Sequence, residues 1–326
     1  MKNKRTVTGR ILLIAAVVIL VSAAVHIGIT EIYAHRIPHR FASAEEGRAL
    51  LLANTAYYDG FTRNDIDYRM KKSGATIEKL LKATTDEIKD FSLFEKYLME
   101  LRIAKMARTF RKNGYAPPPT EEIVYIKTDM TVEGGFSGYT HGNEIYLNSA
   151  NILLSFLPGA GEYFDHLMWH ELFHCLTRNN PGFRADMYAL IHFTVADSDF
   201  ELPPCVRDLY HSNPDVEHHD AYASFMIDGK EIDCFLVWIF AETLSGSSPA
   251  SMTVLVPTDG TDTFYLPEQS SNFDDVFGSN TDYTTDPEEC MANNFADAMQ
   301  YGLRGRNGQG YPDPEIIQGI IDILRK

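Results

Sequence analysis

Apolar positions recur every three or four residues through ATIEKLLKATTDEIKDFSLFEKYLMELRIAKMARTFRKNGY, the spacing of helices that bury one stripe. The carboxylates of the preceding SAEEGRALLLANTAYY open a further helix. Residues 45–118 therefore predict a helical region, ended at APPP (Ala116 to Pro119) because consecutive prolines cannot continue a helix. The pattern then changes. EEIVYIKTD is rich in β-branched and aromatic residues, and GGFSGYTHGNEIYLNSA reads as a glycine-marked turn running into a strand at EIYLN. A helix bounded by PGAGEY and NNPG follows. Between about 195 and 285, strand-like FLVWIFAETL and SMTVLVP alternate with loops of Asp, Pro, Ser and Asn. DPEECMANNFADAMQYGL and DPEIIQGIIDILR are helical again. The fold class that follows is α+β, without internal repeats.

At the amino terminus, ILLIAAVVILVSAAVHIGIT carries no charge before Glu31 and stands behind the basic MKNKRTVTGR. That combination reads as an export signal or a membrane anchor with its basic flank in the cytoplasm. Ser22 to Ala24 offers a cleavage site, while extension through Ile29 gives roughly the twenty residues of a spanning helix. Residues 1–30 are accordingly expected to be flank and anchor or signal peptide, 31–44 a stalk, and the rest an extracytoplasmic body. The formal charge of -16 excludes nucleic acid as a partner, since phosphate binding needs clustered Lys and Arg. A hydrophobic content of 44% supplies a core without disulfide staples. Cys175, Cys205, Cys234 and Cys290 contain no CxxC pair, which argues against a cysteine zinc site. An oxidising compartment permits Cys205 to pair with Cys234.

The chemistry is concentrated in WHELFHCL, residues 169–176. Positions four apart project from one face of a helix about one turn along the axis, so His170 and His174 can hold a single metal ion. Glu171 follows the first histidine, where its carboxylate can act as general base on a metal-activated water. Zinc lowers the pKa of such a water to about 7, from about 15.7 in bulk. His166 continues the series backward, but eight residues of helix rise about 12 Å and zinc–nitrogen bonds are about 2 Å, so His166 reads as a supporting or surface residue. A third ligand must come from elsewhere.

EECMANNFADAM provides one, with Glu289 and, one turn on, Asn293 on a helix whose Met291, Ala292, Phe295, Ala296 and Met299 give it a buried side. Glu289, Ala292, Phe295 and Ala296 resemble the glutamate helix of gluzincins, in particular the CAAX-processing membrane peptidases. The chain thus resembles zincin-like metallopeptidases of the gluzincin type over roughly residues 120–326, and NTDYTTDPEE after HELFH is similar to a family of poorly characterised exported bacterial proteins. The resemblance implies a zincin-like domain over 119–326, one zinc ion held by His170, His174 and Glu289, and Glu171 as base. Glu288 is the rival to Glu289. Asn293 departs from the family pattern, which has an acid there to orient a ligand histidine; an amide oxygen can accept the same hydrogen bond.

An oxyanion donor besides the metal is expected, with Tyr283 as first candidate and His218 or His219 as second. Asp220 reads as an orienting or turn residue. Asn143 to Asn148 reads either as an edge strand that binds an extended substrate by strand addition or as an interior strand. Cys175 and Cys290 each follow a candidate ligand and point about 100 degrees away from it, as packed small residues. The leading expectation is a zinc metallopeptidase acting on a peptide or protein outside the cytoplasm. A catalytically silent zincin-fold binding or sensing module of the cell envelope is the alternative, and a small-molecule amidase or esterase the third.

Overall fold

The computed structural model describes residues 25–241 and 251–326. Most of the amino-terminal apolar run, and with it the anchor or signal expectation, lies outside these residues. The described chain begins in a helix that continues to residue 34, and among the described residues no helix is long and apolar enough to cross a membrane.

Two four-stranded sheets organise the molecule. The first contains β1 (His39–Phe41), β2 (Ile123–Thr128), β3 (Gly138–His141) and β4 (Glu144–Asn148) in the order β1-β2-β4-β3. β1, β2 and β4 run parallel, and β3 pairs antiparallel to β4 at the edge. Every residue of β2 is buried, as expected of a parallel strand covered on both faces. Because side chains alternate across a strand, Val124 and Ile126 join one core with Leu51 and Leu80, while Ile123 and Tyr125 join another with Met99, Ile103 and Phe110.

Those partners come from the helical region: α1 (Ala44–Ala53), α2 (Arg63–Met70), α3 (Ile77–Asp86) and α4 (Leu93–Asn113). α4 starts where the sequence provides a capping box, Ser92 taking the Glu95 amide and Glu95 returning a carboxylate to the Ser92 amide. The region is thus no separate lobe. α1 and α3 cover one face of the first sheet and α4 the other.

Within the stretch 31–44, expected as a stalk, residues 39–41 form β1. The Ala42 amide donates to the Tyr125 carbonyl and the Ile123 amide to the Pro38 carbonyl, and Ile37 and Ala42 are buried. Backbone pairing along the free edge of β2 draws this short stretch into the sheet.

The second sheet is an antiparallel meander of β5 (Thr194–Val195), β6 (Ala221–Ile227), β7 (Lys230–Phe240) and β8 (Ser251–Pro257). Asp228 and Gly229 join β6 to β7 with φ of 50° and 72°, the left-handed pair that a tight hairpin requires. Cys205 and Cys234 are both free thiols, so the permitted disulfide is not formed. Cys234 is buried within β7, and Cys205 lies in the short helix Pro204–Arg207, where its amide donates to Asp262.

Between the sheets lie α5 (Pro158–Asn179) and α6 (Pro181–Tyr188), followed after the meander by α7 (Pro287–Tyr301) and α8 (Pro314–Ile323). α5 packs along α7, with Trp169 and Phe173 against Phe295.

Candidate metal centre

α5 begins with Pro158, whose fixed φ suits the first helical position. From Leu167 to Thr177 every residue is buried, so this stretch of the helix has no solvated face and its polar side chains must find partners inside. α7 starts one residue after Asp286, whose carboxylate accepts the Glu288 amide at 2.8 Å. Its first turn delivers Glu288 and Glu289, both buried, to the polar side of α5.

His170, His174 and Glu289 converge. His170 Nε2 is 3.0 Å and His174 Nε2 3.9 Å from Glu289 Oε2, and one ligand atom from each of the three lies within 4.8 Å of the others. The outer nitrogens of the imidazoles are held separately. His170 Nδ1 stands 3.2 Å from Asn293 Oδ1, and His174 Nδ1 2.8 Å from Glu288 Oε1. Glu288 also accepts from Thr177 Oγ1 and Tyr188, so its oxygens are engaged away from the imidazole pair's inner side. Glu289 Oε1 takes Asn213 Nδ2 at 2.7 Å.

Each imidazole therefore has its outer nitrogen fixed, the arrangement that orients metal-ligating histidines. His174 Nε2 is buried and has no hydrogen-bond partner, although an orphaned buried polar atom costs about 1–3 kcal/mol. A two-nitrogen, one-carboxylate set with an unpaired inner nitrogen fits zinc.

Glu171 is 1% exposed, and its Oε2 accepts from Thr140 Oγ1 at 2.7 Å. Burial pushes its carboxyl up, with Glu289 adding to the effect and the two imidazoles opposing it. Glu289 moves the other way: burial would raise it, but the His170 hydrogen bond and both imidazoles hold it below the ordinary carboxylate range. Glu171 is thus the member of the pair suited to hold a proton.

Gly138 in β3 faces Glu171 at close range. A Cβ there would stand 2.9 Å from Glu171 Oε1, so a side chain at this position would press on the Glu171 carboxylate.

Tyr283 stacks on His170, ring centroids 6.1 Å apart at 16°, and is 38% exposed at the mouth of a cleft of about 340 Å3. Burial raises its phenol well above the ordinary value, with Glu289 contributing. His166 lines the same cleft and pairs with Asp297 at 3.1 Å, outside the ligand set as the helical rise requires.

His218 and His219 do not reach the centre. His218 pairs with exposed Asp199, and His219 Nε2 lies 3.2 Å from the Tyr210 hydroxyl. Asp220 forms a two-pronged ion pair with Arg184 rather than orienting a ligand. Cys175 and Cys290 are fully buried packing residues.

The strand at Asn143–Asn148 is interior, flanked by β2 and β3. The free edge belongs to β3, because the segment before it folds back as a hairpin.

Thr140, Asn213 and Asp215 are site residues that the sequence pattern did not single out. Asp215 Oδ1 accepts the Thr140 amide at 2.6 Å and lies 3.9 Å from His174 Nε2. Burial drives its carboxyl well up, reinforced by Glu171 and Glu289. The available signal was the Asn-Pro-Asp run 213–215, which forms an Asx turn with the Asp215 amide on Asn213 Oδ1 at 3.0 Å. Comparison of the chain with protein-family models, with curated proteins and with solved structures gives no match.

Proposed function

We propose that this protein is a zinc-dependent metallopeptidase of the zincin kind, with His170, His174 and Glu289 holding one zinc ion and peptide bonds hydrolysed outside the cytoplasm. The observation that carries the reading is the buried, unpartnered His174 Nε2 facing the Glu289 carboxylate. Zinc supplies a Lewis acid that acidifies water and polarises a substrate carbonyl. Glu171, its carboxyl raised by burial, takes the proton of the attacking water and passes it to the leaving amine. The Thr140 hydroxyl fixes the Glu171 carboxylate during that transfer. Asn293 and Glu288 keep the imidazoles in register, and Asn213 does the same for Glu289. Tyr283, stacked at the cleft mouth, is the donor for the developing oxyanion.

One observation favours the alternative of a silent binding or sensing module. Structural zinc sites are closed by four protein ligands, and Asp215 Oδ1, 3.9 Å from His174 Nε2, groups with Glu171 as further carboxylates around that nitrogen. Glu171→Gln separates the two readings. The peptidase loses about a thousandfold or more in turnover while zinc content stays at one per chain. A binding module keeps its ligand affinity and never shows turnover in the wild type. Simple amides assayed beside a peptide library test the small-molecule amidase in the same experiment.

A further inference from the structure

An extended peptide adds to a sheet by pairing with a free strand edge, and here most of that edge is taken. The outward amide of Thr140 donates to Asp215 Oδ1 at 2.6 Å, and that of Gly142 to Glu217 Oε1 at 2.7 Å. Both acceptors belong to the segment 212–217, which is fixed from several sides. Arg69 Nη2 donates to the Ser212 carbonyl at 2.8 Å, Asp65 Oδ1 accepts the Ser212 amide at 3.0 Å, and Arg178 Nη2 donates to the Asp215 carbonyl at 2.9 Å. Gly138 remains in the cleft, beside Phe136 and Tyr163, which are 43% and 53% exposed. The groove is therefore open at its Phe136–Tyr163 end and shut at its Asp215 end.

We propose that the cleft receives the free amino end of a peptide, with Asp215 holding the α-ammonium, so that residues are removed one at a time from the amino terminus. The hydrolytic step rests on the peptidase reading above; the choice of chain end does not. Three features point to it. The shut end stops an incoming chain. A chain spans at most about 3.6 Å per residue, and Asp215 Oδ1 is 3.9 Å from His174 Nε2, so an ammonium seated on Asp215 leaves only the first peptide bond at the imidazole pair. Finally, Glu171, Asp215 and Glu289 are buried together. A carboxy terminus brought to them is repelled, whereas an ammonium makes charge-assisted hydrogen bonds and relieves their mutual repulsion. Arg178 makes no hydrogen bond to the Asp215 carboxylate: its Nη2 donates to the Asp215 backbone carbonyl, its Nε lies on Glu217, and its buried Nη1 has no partner. The unpartnered His174 Nε2, 3.9 Å from Asp215 Oδ1, opens on the same space.

The test uses one peptide with a leucine amino terminus in two forms, free and N-acetylated. With zinc-loaded full-length Glu171→Gln, calorimetric titration should show the free form binding about tenfold tighter or more, and Asp215→Asn in that background should bring the two forms together. With the zinc-loaded wild type, mass spectrometry should show stepwise loss of single residues from the free peptide and cleavage of the acetylated one slower by roughly a hundredfold. Equal binding of the two forms, with internal cleavage of both, overturns this inference and leaves the peptidase reading standing. Hydrolysis of neither peptide overturns the peptidase reading and the stepwise removal together, and the binding difference on Glu171→Gln then reports separately on the ammonium site.

Discussion

Two buried polar clusters lie on either side of the segment 212–217, and they are satisfied to different degrees. Around Arg69, 4% exposed, every guanidinium nitrogen has a partner, although Glu133 Oε1 has none. Arg69 Nε reaches Glu133, its Nη1 Asp65, and its Nη2 both the Tyr57 hydroxyl and the Ser212 carbonyl, each at 2.8 Å. Phe61 lies under it at 4.5 Å. Around His170 and His174, every outer contact is made but the inner nitrogen of His174 has none. Buried charge that is neutralised within the chain is scaffold. A buried imidazole nitrogen left unpaired at the meeting point of three carboxylates is what the proposed metal site would use. The first cluster serves the second, because Arg69 and Asp65 grip Ser212, the residue before Asn213.

The difference predicts distinct responses to substitution. Arg69→Met leaves Asp65 and Glu133 buried without their cation, and removing one partner of a buried pair costs about 3–5 kcal/mol. Urea unfolding should show a loss of that size, while the folded fraction still binds zinc. An abolished zinc site with little change in stability would erase the distinction between the clusters. Asn293→Ala should do the reverse, leaving urea stability nearly unchanged and weakening zinc by about 10–100-fold, read by competition with a chromophoric chelator.

Acid should act on the scaffold through His211. Burial, with Arg69 nearby, pulls its imidazole down to about 3. Below about 6.5 the unfolded chain takes up a proton that the folded one refuses. The stability tied to His211 is thus complete above that pH and is lost as pH falls toward 3, at about 1.4 kcal/mol per pH unit. His211 lies between Trp238 and Phe240, at 3.9 and 4.1 Å. His211→Phe keeps the stacking and should flatten the acid limb of urea midpoints measured at pH 7, 6 and 5 by that slope. An unchanged limb would assign the acid sensitivity elsewhere.

What the sequence disclosed follows from what periodicity records. α5 and α7 were legible because buried helices leave long apolar patterns, and His170, Glu171, His174 and Glu289 occupy fixed offsets within them. Spacing alone left Glu288 and Glu289 open, since adjacent residues differ only in direction; the structure sends Glu288 to the outer nitrogen of His174 and Glu289 between the imidazoles. GGFSGYTHGNEIYLNSA reads as one turn and one strand, yet it holds β3 and β4 on either side of Gly142 and Asn143. The Gly-Asn dipeptide between two alternating runs was the hairpin signal. β1, only three residues long, is too short to show a period. Asn213 and Asp215 act from a loop, where no repeat exists to place a side chain, and the histidines just beyond them were the more conspicuous feature. Their true partners, Asp199 and Tyr210, are set by tertiary contacts.

Zinc content bears on all of this most directly. Purified full-length protein, dialysed against trace zinc and analysed by atomic emission, should carry about one ion per chain. Glu289→Ala should lose it and Glu288→Ala should keep it at reduced affinity. Retention of full zinc by Glu289→Ala, or its loss only from Glu288→Ala, would contradict convergence of the two imidazoles and the Glu289 carboxylate on a single cation.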